Sequence, residues 1–157
     1  EALRKFAEMV AAQGGDARVA DDPALLVSAS RIVPVPAPVS GVVTAIHAEE
    51  LGTAAMLLGA GRAVKDAAVD PAVGIVIKRR IGDAVEAGEP LAELHVNDAG
   101  RDGRDGRDGR DGAETERIAR LVADAFEVSA YRPVAAPPLL YALVTPEGTT
   151  LFDGQAR

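Results

Sequence analysis

The chain has 157 residues, a formal net charge of −7 and no cysteine, so it can bury one ordinary core or two small ones but can build neither a disulfide framework nor a thiolate metal site. The acidic balance, without any basic block, argues against binding to nucleic acid or to an anionic membrane surface. The sequence contains no signal peptide and no apolar run near the ~18 residues of a membrane-spanning helix, and we therefore expect a cytoplasmic protein.

An amphipathic helix is predicted over residues 1–15. Its glycines Gly14 and Gly15 are typical of a helix end. The chain begins on Glu1, already inside this pattern, and we expect a piece of a longer protein. The apolar positions share one helical face that needs a partner: Leu3, Phe6, Met9 and Val10.

Residues 16–38 are predicted to form an extended linker. Asp21-Asp22-Pro23 is typical of a solvated cap, and acid–base chemistry by these carboxylates would need a partner acid that the sequence does not indicate. Prolines at positions 34, 36 and 38 exclude a helix. A strand, 39–46, should follow, and Gly41 in it predicts a close backbone contact.

Residues 51–62 are predicted to form a small-residue helix. Gly59 and Gly61 supply the permissive dihedrals of its C-terminus, and Arg62 lies where a cation is favourable near the helix carbonyls. The glycines could also form a phosphate loop, but the remaining residues of a nucleotide fingerprint are missing. The predicted buried face consists of Leu51, Ala54, Ala55 and Leu58.

A β-hairpin is predicted next, over residues 73–98. Gly82-Asp83 and 88–90 are turns, with Val85 as the buried residue of a short arm between them. On the return strand Glu93 and His95 should face away from the core. The predicted core positions are Val73, Ile75, Ile77 and Ile81 on the first strand, where only Arg79 interrupts the parity, and Ala92, Leu94 and Val96 on the second.

The last third of the chain begins with an insertion, residues 100–112, that holds four copies of Arg-Asp-Gly and is predicted to be a solvated loop. Asp111 and Glu114 favour a capped helix start. A final strand, 139–144, and a tail, 145–157, should complete the chain. The predicted buried face of the helix consists of Ile118, Leu121, Val122 and Ala125.

His47 and His95 are the only histidines. A carboxylate could join them in a metal site, but their spacing matches no metal-binding motif. We predict neither a metal nor a cofactor.

The run LGTAAMLLGAGRAVKDAAVDPAVGIVIKRRIGDAVEAGEPLAELHVND resembles the C-terminal domain of the pyrimidine-nucleoside and thymidine phosphorylase family, and KFAEMVAAQGGDARVADDPALL is similar to the segment before it. The resemblance covers about residues 3–98 and, more loosely, 118–144. It implies an α+β fold, namely a small β-hairpin-rich sandwich or hammerhead-like domain with packed helices over 39–144. It also implies that helix 1–15 belongs to a catalytic body that is absent here. The Arg-Asp-Gly repeat departs from the family pattern.

The resemblance implies a transferase that converts a pyrimidine nucleoside and phosphate to the free base and (deoxy)ribose 1-phosphate as a homodimer. In that family the phosphate- and base-binding segments precede the matched region. We therefore assign no catalytic residue and expect this chain alone to be inactive. Its partner would be the remainder of the phosphorylase, which would also decide between thymidine and uridine.

The loop Gly61–Asp70 carries the only candidate site residues, Arg62 and Lys65. In the resembled enzymes a lid-like closure approaches the phosphate side, and this loop could contribute to the closing edge. The alternative is a surface connector in which Arg62 meets helix carbonyls.

The GD-x-V-x-x-GEPL piece also occurs in biotinyl and lipoyl carrier domains, so a carrier or a purely structural interaction module is the alternative function. The chain has only three lysines, and none lies in the Met-Lys-Met-like turn that a carrier uses: Lys5, Lys65 and Lys78.

Co-expression with a biotin or lipoate ligase tests the carrier alternative. We expect the intact mass of the chain to stay unmodified because no lysine lies in a carrier turn. A stoichiometric adduct on Lys65 or Lys78 would instead establish carrier chemistry.

Overall fold

The fold is that of a computed structural model, described here for residues 1–62, 64–97, 112–130 and 138–152. Most of the Arg-Asp-Gly repeat, Asp111 and the end of the predicted tail lie outside these ranges. Within them the chain is α+β, as predicted. The helices are α1 (Ala2–Ala12), α2 (Ala48–Ala55) and α3 (Gly112–Asp124), and the strands are β1 (Arg31–Pro36), β2 (Gly41–Ile46), β3 (Gly74–Ile77), β4 (Ala84–Val85), β5 (Pro90–Val96), β6 (Phe126–Ser129), β7 (Ala142–Thr145) and β8 (Gly148–Leu151).

Strand β5 is the centre of the first sheet, whose order is β1-β5-β3. Both neighbours are antiparallel to it, and Leu94 lies opposite Val33 on one side and Ile75 on the other. Ala92, Leu94 and Val96 are buried while Glu93 and His95 are half-buried, which confirms the predicted alternation and the pairing of β3 with β5.

The second sheet has the order β4-β2-β6. Val85 in β4 pairs with Gly41 in β2, so the short arm of the predicted hairpin leaves the first sheet and joins the second. This crossing links the two sheets through residues 78–89.

Helix α3 packs against β1, β5, β6 and α2 and closes the core between the sheets. The packed face of α3 includes Thr115, which is only 3% exposed, and sequence reasoning had not placed it there. Among the described residues, the largest fully buried side chains are Val35, Val43, Leu91, Leu94, Val96, Ile118 and Val122.

Two predicted core residues are exposed. Ile77 is 46% exposed because it ends the edge strand β3, beyond which the chain leaves the sheet. Leu121 is 37% exposed because it lies about 60° around the helix from Ile118, at the rim of the packed face. Ala55 is only half-buried, whereas Leu51, Ala54 and Leu58 of the same predicted face are buried.

Strand β1 lies inside the segment that the sequence predicted as a linker. Pro34 and Pro36 are compatible with it because β1 is an edge strand, where a residue without N–H costs no ladder hydrogen bond on its outer side. Earlier in that segment, Asp22 accepts a hydrogen bond from the Ala24 N–H at 3.1 Å and caps a short 3₁₀ turn, which confirms the cap interpretation for this residue. The domain boundaries themselves stay a prediction.

The C-terminal strands also differ from expectation. The sequence pattern did not predict β6, which pairs with β2. The predicted last strand begins later, at Ala142, and pairs with β8 from the predicted tail in a separate, exposed hairpin.

Helix α1 keeps its apolar side chains exposed in the described structure: Leu3, Phe6 and Met9 are each more than 40% exposed. Its main described packing partner is the 3₁₀ turn Ala17–Ala20. Among the residues described, no helix is long and apolar enough to cross a bilayer.

The close contact predicted at Gly41 is confirmed. A Cβ at this position would lie 2.7 Å from the carbonyl oxygen of Ser129 in the neighbouring strand β6. A side chain here would therefore push β2 and β6 apart.

We expect Gly41→Ala to lower the free energy of unfolding by about 1–3 kcal/mol, because overpacking a fixed backbone forces strand displacement. Gly52→Ala is the matched control, since a Cβ there would meet no atom within 4 Å. In helix α2 it should be neutral or stabilising by up to about 1 kcal/mol. Urea denaturation measures both, and equal midpoints for the two variants would contradict the steric explanation.

Candidate functional site: the loop between α2 and β3

The loop begins where α2 ends. After Ala55 the helix ends within the segment Met56–Ala60, where Gly59 leaves the helical conformation with φ +102°, as its predicted role in ending the helix requires. The prediction of permissive dihedrals at Gly61 is wrong, because its backbone is extended with φ −141° and ψ 169°. Small size is what this position needs, since a Cβ would lie 3.1 Å from Cβ of Met56.

Arg62 and Lys65, the predicted loop cations, are both exposed. Neither forms a hydrogen bond or an ion pair with another residue in the described ranges, so the contact of Arg62 with helix carbonyls is not observed. Lys65 lies within a turn that is closed by a hydrogen bond from the Ala67 N–H to the Val64 carbonyl, at 3.2 Å. Asp66 in this turn has φ +70°, an uncommon conformation for a residue other than glycine.

The base of the loop is tightly held, in contrast to its tip. The Asp70 N–H donates to the carbonyl of Gly59 at 3.0 Å and thereby joins the two ends of the loop. Oδ1 of Asp70 accepts the Ala72 N–H at 2.9 Å, which fixes the turn into β3. The half-buried carboxylate therefore organises the backbone on both sides of it.

The second oxygen of Asp70 extends the network beyond the loop. Oδ2 accepts a hydrogen bond from Nδ2 of Asn97 at 2.7 Å, and Oδ1 of Asn97 accepts the Ser30 N–H at 2.8 Å. We call Ser30, Asp70 and Asn97 the polar clamp. Sequence reasoning missed all three residues; the only local signal was Asp70-Pro71, a dipeptide typical of a turn.

Two other cations near the hairpin are paired. Lys78 lies 3.3 Å from the carboxylate of Glu93, and Arg79 lies 3.1 Å from that of Glu89. Lys78 follows the end of β3, and Lys65 lies between a helix and a strand. Neither lysine occupies a tight turn between two strands.

The two histidines lie in different parts of the fold. Nε2 of His47, directly after β2, is 3.0 Å from Oε1 of Glu127. His95 lies in β5 between Ile32 and Gly74 on the neighbouring strands. Among the described residues there is no group of three His, Asp or Glu side chains that could hold a metal.

Among the described residues, the largest change in a pKa lies away from the loop. Hydrogen bonds from Arg18 lower the pKa of the Asp16 carboxyl to about 2. This exposed pair caps the 3₁₀ turn Ala17–Ala20, with the Arg18 N–H donating to Oδ1 of Asp16 at 3.0 Å. Its role is local structure.

An open cleft of about 550 Å³ lies between β1 and α3. Arg31 and Arg120 line it, together with Thr115, whose buried Oγ1 has no hydrogen-bond partner within the described part of the chain. None of the predicted site residues contributes to this lining.

Residues 42–104, which include the loop, match the family described as the pyrimidine nucleoside phosphorylase C-terminal domain. The chain is 42% identical over 145 residues to a pyrimidine-nucleoside phosphorylase of Bacillus subtilis (strain 168), covering 92% of this chain and 30% of that protein. It is 39% identical over 140 residues to the Geobacillus stearothermophilus enzyme of that name, covering 89% and 29%. A thymidine phosphorylase of Burkholderia cenocepacia (strain HI2424) is 49% identical over 98 residues, covering 62% and 22%. The chain thus spans 30% or less of the length of these curated relatives.

Proposed function

Because the chain belongs to the pyrimidine-nucleoside and thymidine phosphorylase family and carries its C-terminal domain, we propose that it acts as one part of an enzyme that cleaves pyrimidine nucleosides with phosphate. The products would be the free base and (deoxy)ribose 1-phosphate. The observation that carries this proposal is the 42% identity to the B. subtilis phosphorylase over 145 residues.

In this proposal the bond-breaking chemistry belongs to the rest of the enzyme. Phosphate attacks the anomeric carbon as the bond to the base breaks, and positive charge develops on the sugar. Cationic groups stabilise the departing base and hold the phosphate. The complete enzyme would be a cytoplasmic homodimeric transferase whose C-terminal domain has a sandwich or hammerhead-like arrangement.

The loop 61–70 is the part of this domain that would take part directly. Its base is fixed by hydrogen bonds of Asp70, while Arg62 near the start of the loop and Lys65 in the turn at its tip are exposed. Two such cations can reach a bound phosphate without breaking an ion pair within the described structure. Closure of a loop of this kind excludes water and adds charge-assisted hydrogen bonds to the phosphate.

The 157-residue chain by itself should release no base from thymidine or uridine in the presence of phosphate, because the family resemblance implies that the phosphate- and base-binding segments precede the matched region. Chromatographic detection of thymine and uracil measures this, with a complete pyrimidine-nucleoside phosphorylase as the positive control. Turnover above the blank would refute the proposal that the catalytic groups lie in the rest of the enzyme.

In a phosphorylase that carries this domain, Arg62→Ala with Lys65→Ala should lower kcat/KM for phosphate by about tenfold or more, as expected from the loss of charge-assisted hydrogen bonds. Lys78→Ala is the matched control, because Lys78 is a cation of the same domain already paired with Glu93. The melting temperature should not change. Wild-type kcat and KM in the double variant would reject the lid role and leave the loop as a connector.

A further inference from the structure

We propose that the polar clamp of Ser30, Asp70 and Asn97 couples the segment that leads into β1 to the base of the loop 61–70, so that the position of residue 30 sets the position of the loop. The kinetic consequence rests on the function proposed above. The clamp itself is a property of this chain and is tested without any activity.

The backbone N–H of Ser30 fixes which groups donate and which accept in the polar clamp. The Ser30 N–H can only donate, so Asn97 must turn Oδ1 toward it. The amide nitrogen of Asn97 then points to position 70, which must supply an acceptor. Asp70 satisfies this need with one oxygen and holds the Ala72 N–H with the other.

The clamp joins three segments that are distant in sequence. Ser30 directly precedes β1, and Asn97 directly follows β5. Arg31 and Val96 are opposite each other in the ladder, so the two clamp residues flank the same end of the sheet. A further hydrogen bond from Oγ of Ser30 to the carbonyl of Val96, at 3.3 Å, holds this end together.

The loop can respond to the clamp as a unit. Its two ends are joined by the bond between the Asp70 N–H and the Gly59 carbonyl, and its tip has no described hydrogen bond to either sheet. A displacement at residue 30 is therefore transmitted through the side chain of Asn97 to Asp70 and to the loop base. Between α1 and residue 30 the chain forms only two short 3₁₀ turns. The family resemblance assigns α1 to the catalytic body.

Exchanging the two side chains tests this arrangement. Asp70→Asn replaces one acceptor oxygen by a donor and so loses the bond to Ala72 or to Asn97. Asn97→Asp brings two carboxylates together where a donor had met an acceptor. The double variant Asp70→Asn/Asn97→Asp restores all three hydrogen bonds. Only the bond between positions 70 and 97 changes direction. The new amide at position 70 donates to the new carboxylate at position 97, which still accepts from the Ser30 N–H.

Native-state hydrogen exchange on the 157-residue chain is the measurement. Each single variant should speed exchange of the backbone amides at positions 70 and 72 by about tenfold, and the double variant should return them close to the wild-type rates. If the clamp couples the loop base to the segment before β1, Asp70→Asn must also speed exchange of the Ser30 amide. Asp124→Asn, the same change at an exposed site on α3, is the control and should leave these rates unchanged.

The amides of β5 report the global fold in the same spectra. If a single variant unfolds the chain, all amides exchange faster together, and recovery of the fold in the double variant supports the clamp. Wild-type exchange at Ser30 and Ala72 in Asp70→Asn, or a double variant no better than the singles, overturns it.

Kinetics in a complete phosphorylase separate this inference from the proposed function. If Asp70→Asn speeds local exchange and raises KM for phosphate while the double variant restores both, the clamp and the lid role both stand. Local exchange that responds to the swap with unchanged KM and kcat retains the clamp and rejects the lid. Unchanged exchange rejects the clamp whatever the kinetics show.

Discussion

The antiparallel pairing of β5 with two neighbours is the constraint on which the structure depends. In its three-stranded sheet only this strand is hydrogen-bonded along both edges, and Leu91, Ala92 and Leu94 on it have no exposed surface. Helix α3 packs against the same strand and against β1. Because β5 ends at Val96, its end also delivers Asn97 to the base of the loop. The core and the candidate site thus share one element.

Features that follow from local rules could be predicted from the sequence. The alternation in β5 has period two, the end of the helix requires a residue such as Gly59 with positive φ, and Gly41 marks a close approach of two backbones. The strands that the sequence did not predict depend on long-range pairing. β1 lies in a proline-rich segment and β6 follows a helix after one residue, so neither has a local pattern that identifies its partner strand.

The site divides in the same way. Arg62 and Lys65 could be named as candidates because cations between small residues in a long polar connection are a local signal, and their role stays a prediction. Asp70 and Asn97 are separated by 27 residues, and Ser30 and Asn97 by 67, so their contacts depend on the completed sheet. A hydrogen bond between single polar residues has no periodicity from which it could be predicted.

The prolines of β1 give the two edges of the first sheet different chemistry. Along β1, Pro34 and Pro36 have no N–H to offer to another chain, so this edge is a poor template for intermolecular strand pairing. The β3 edge has no proline, and Val76 and Ile77 are partly exposed on it. It is protected instead by its length of four residues and by the charges of Lys78, Arg79 and Arg80 directly after it. We therefore expect removal of these three charges to make this edge of the sheet more prone to pair with a second chain at high concentration.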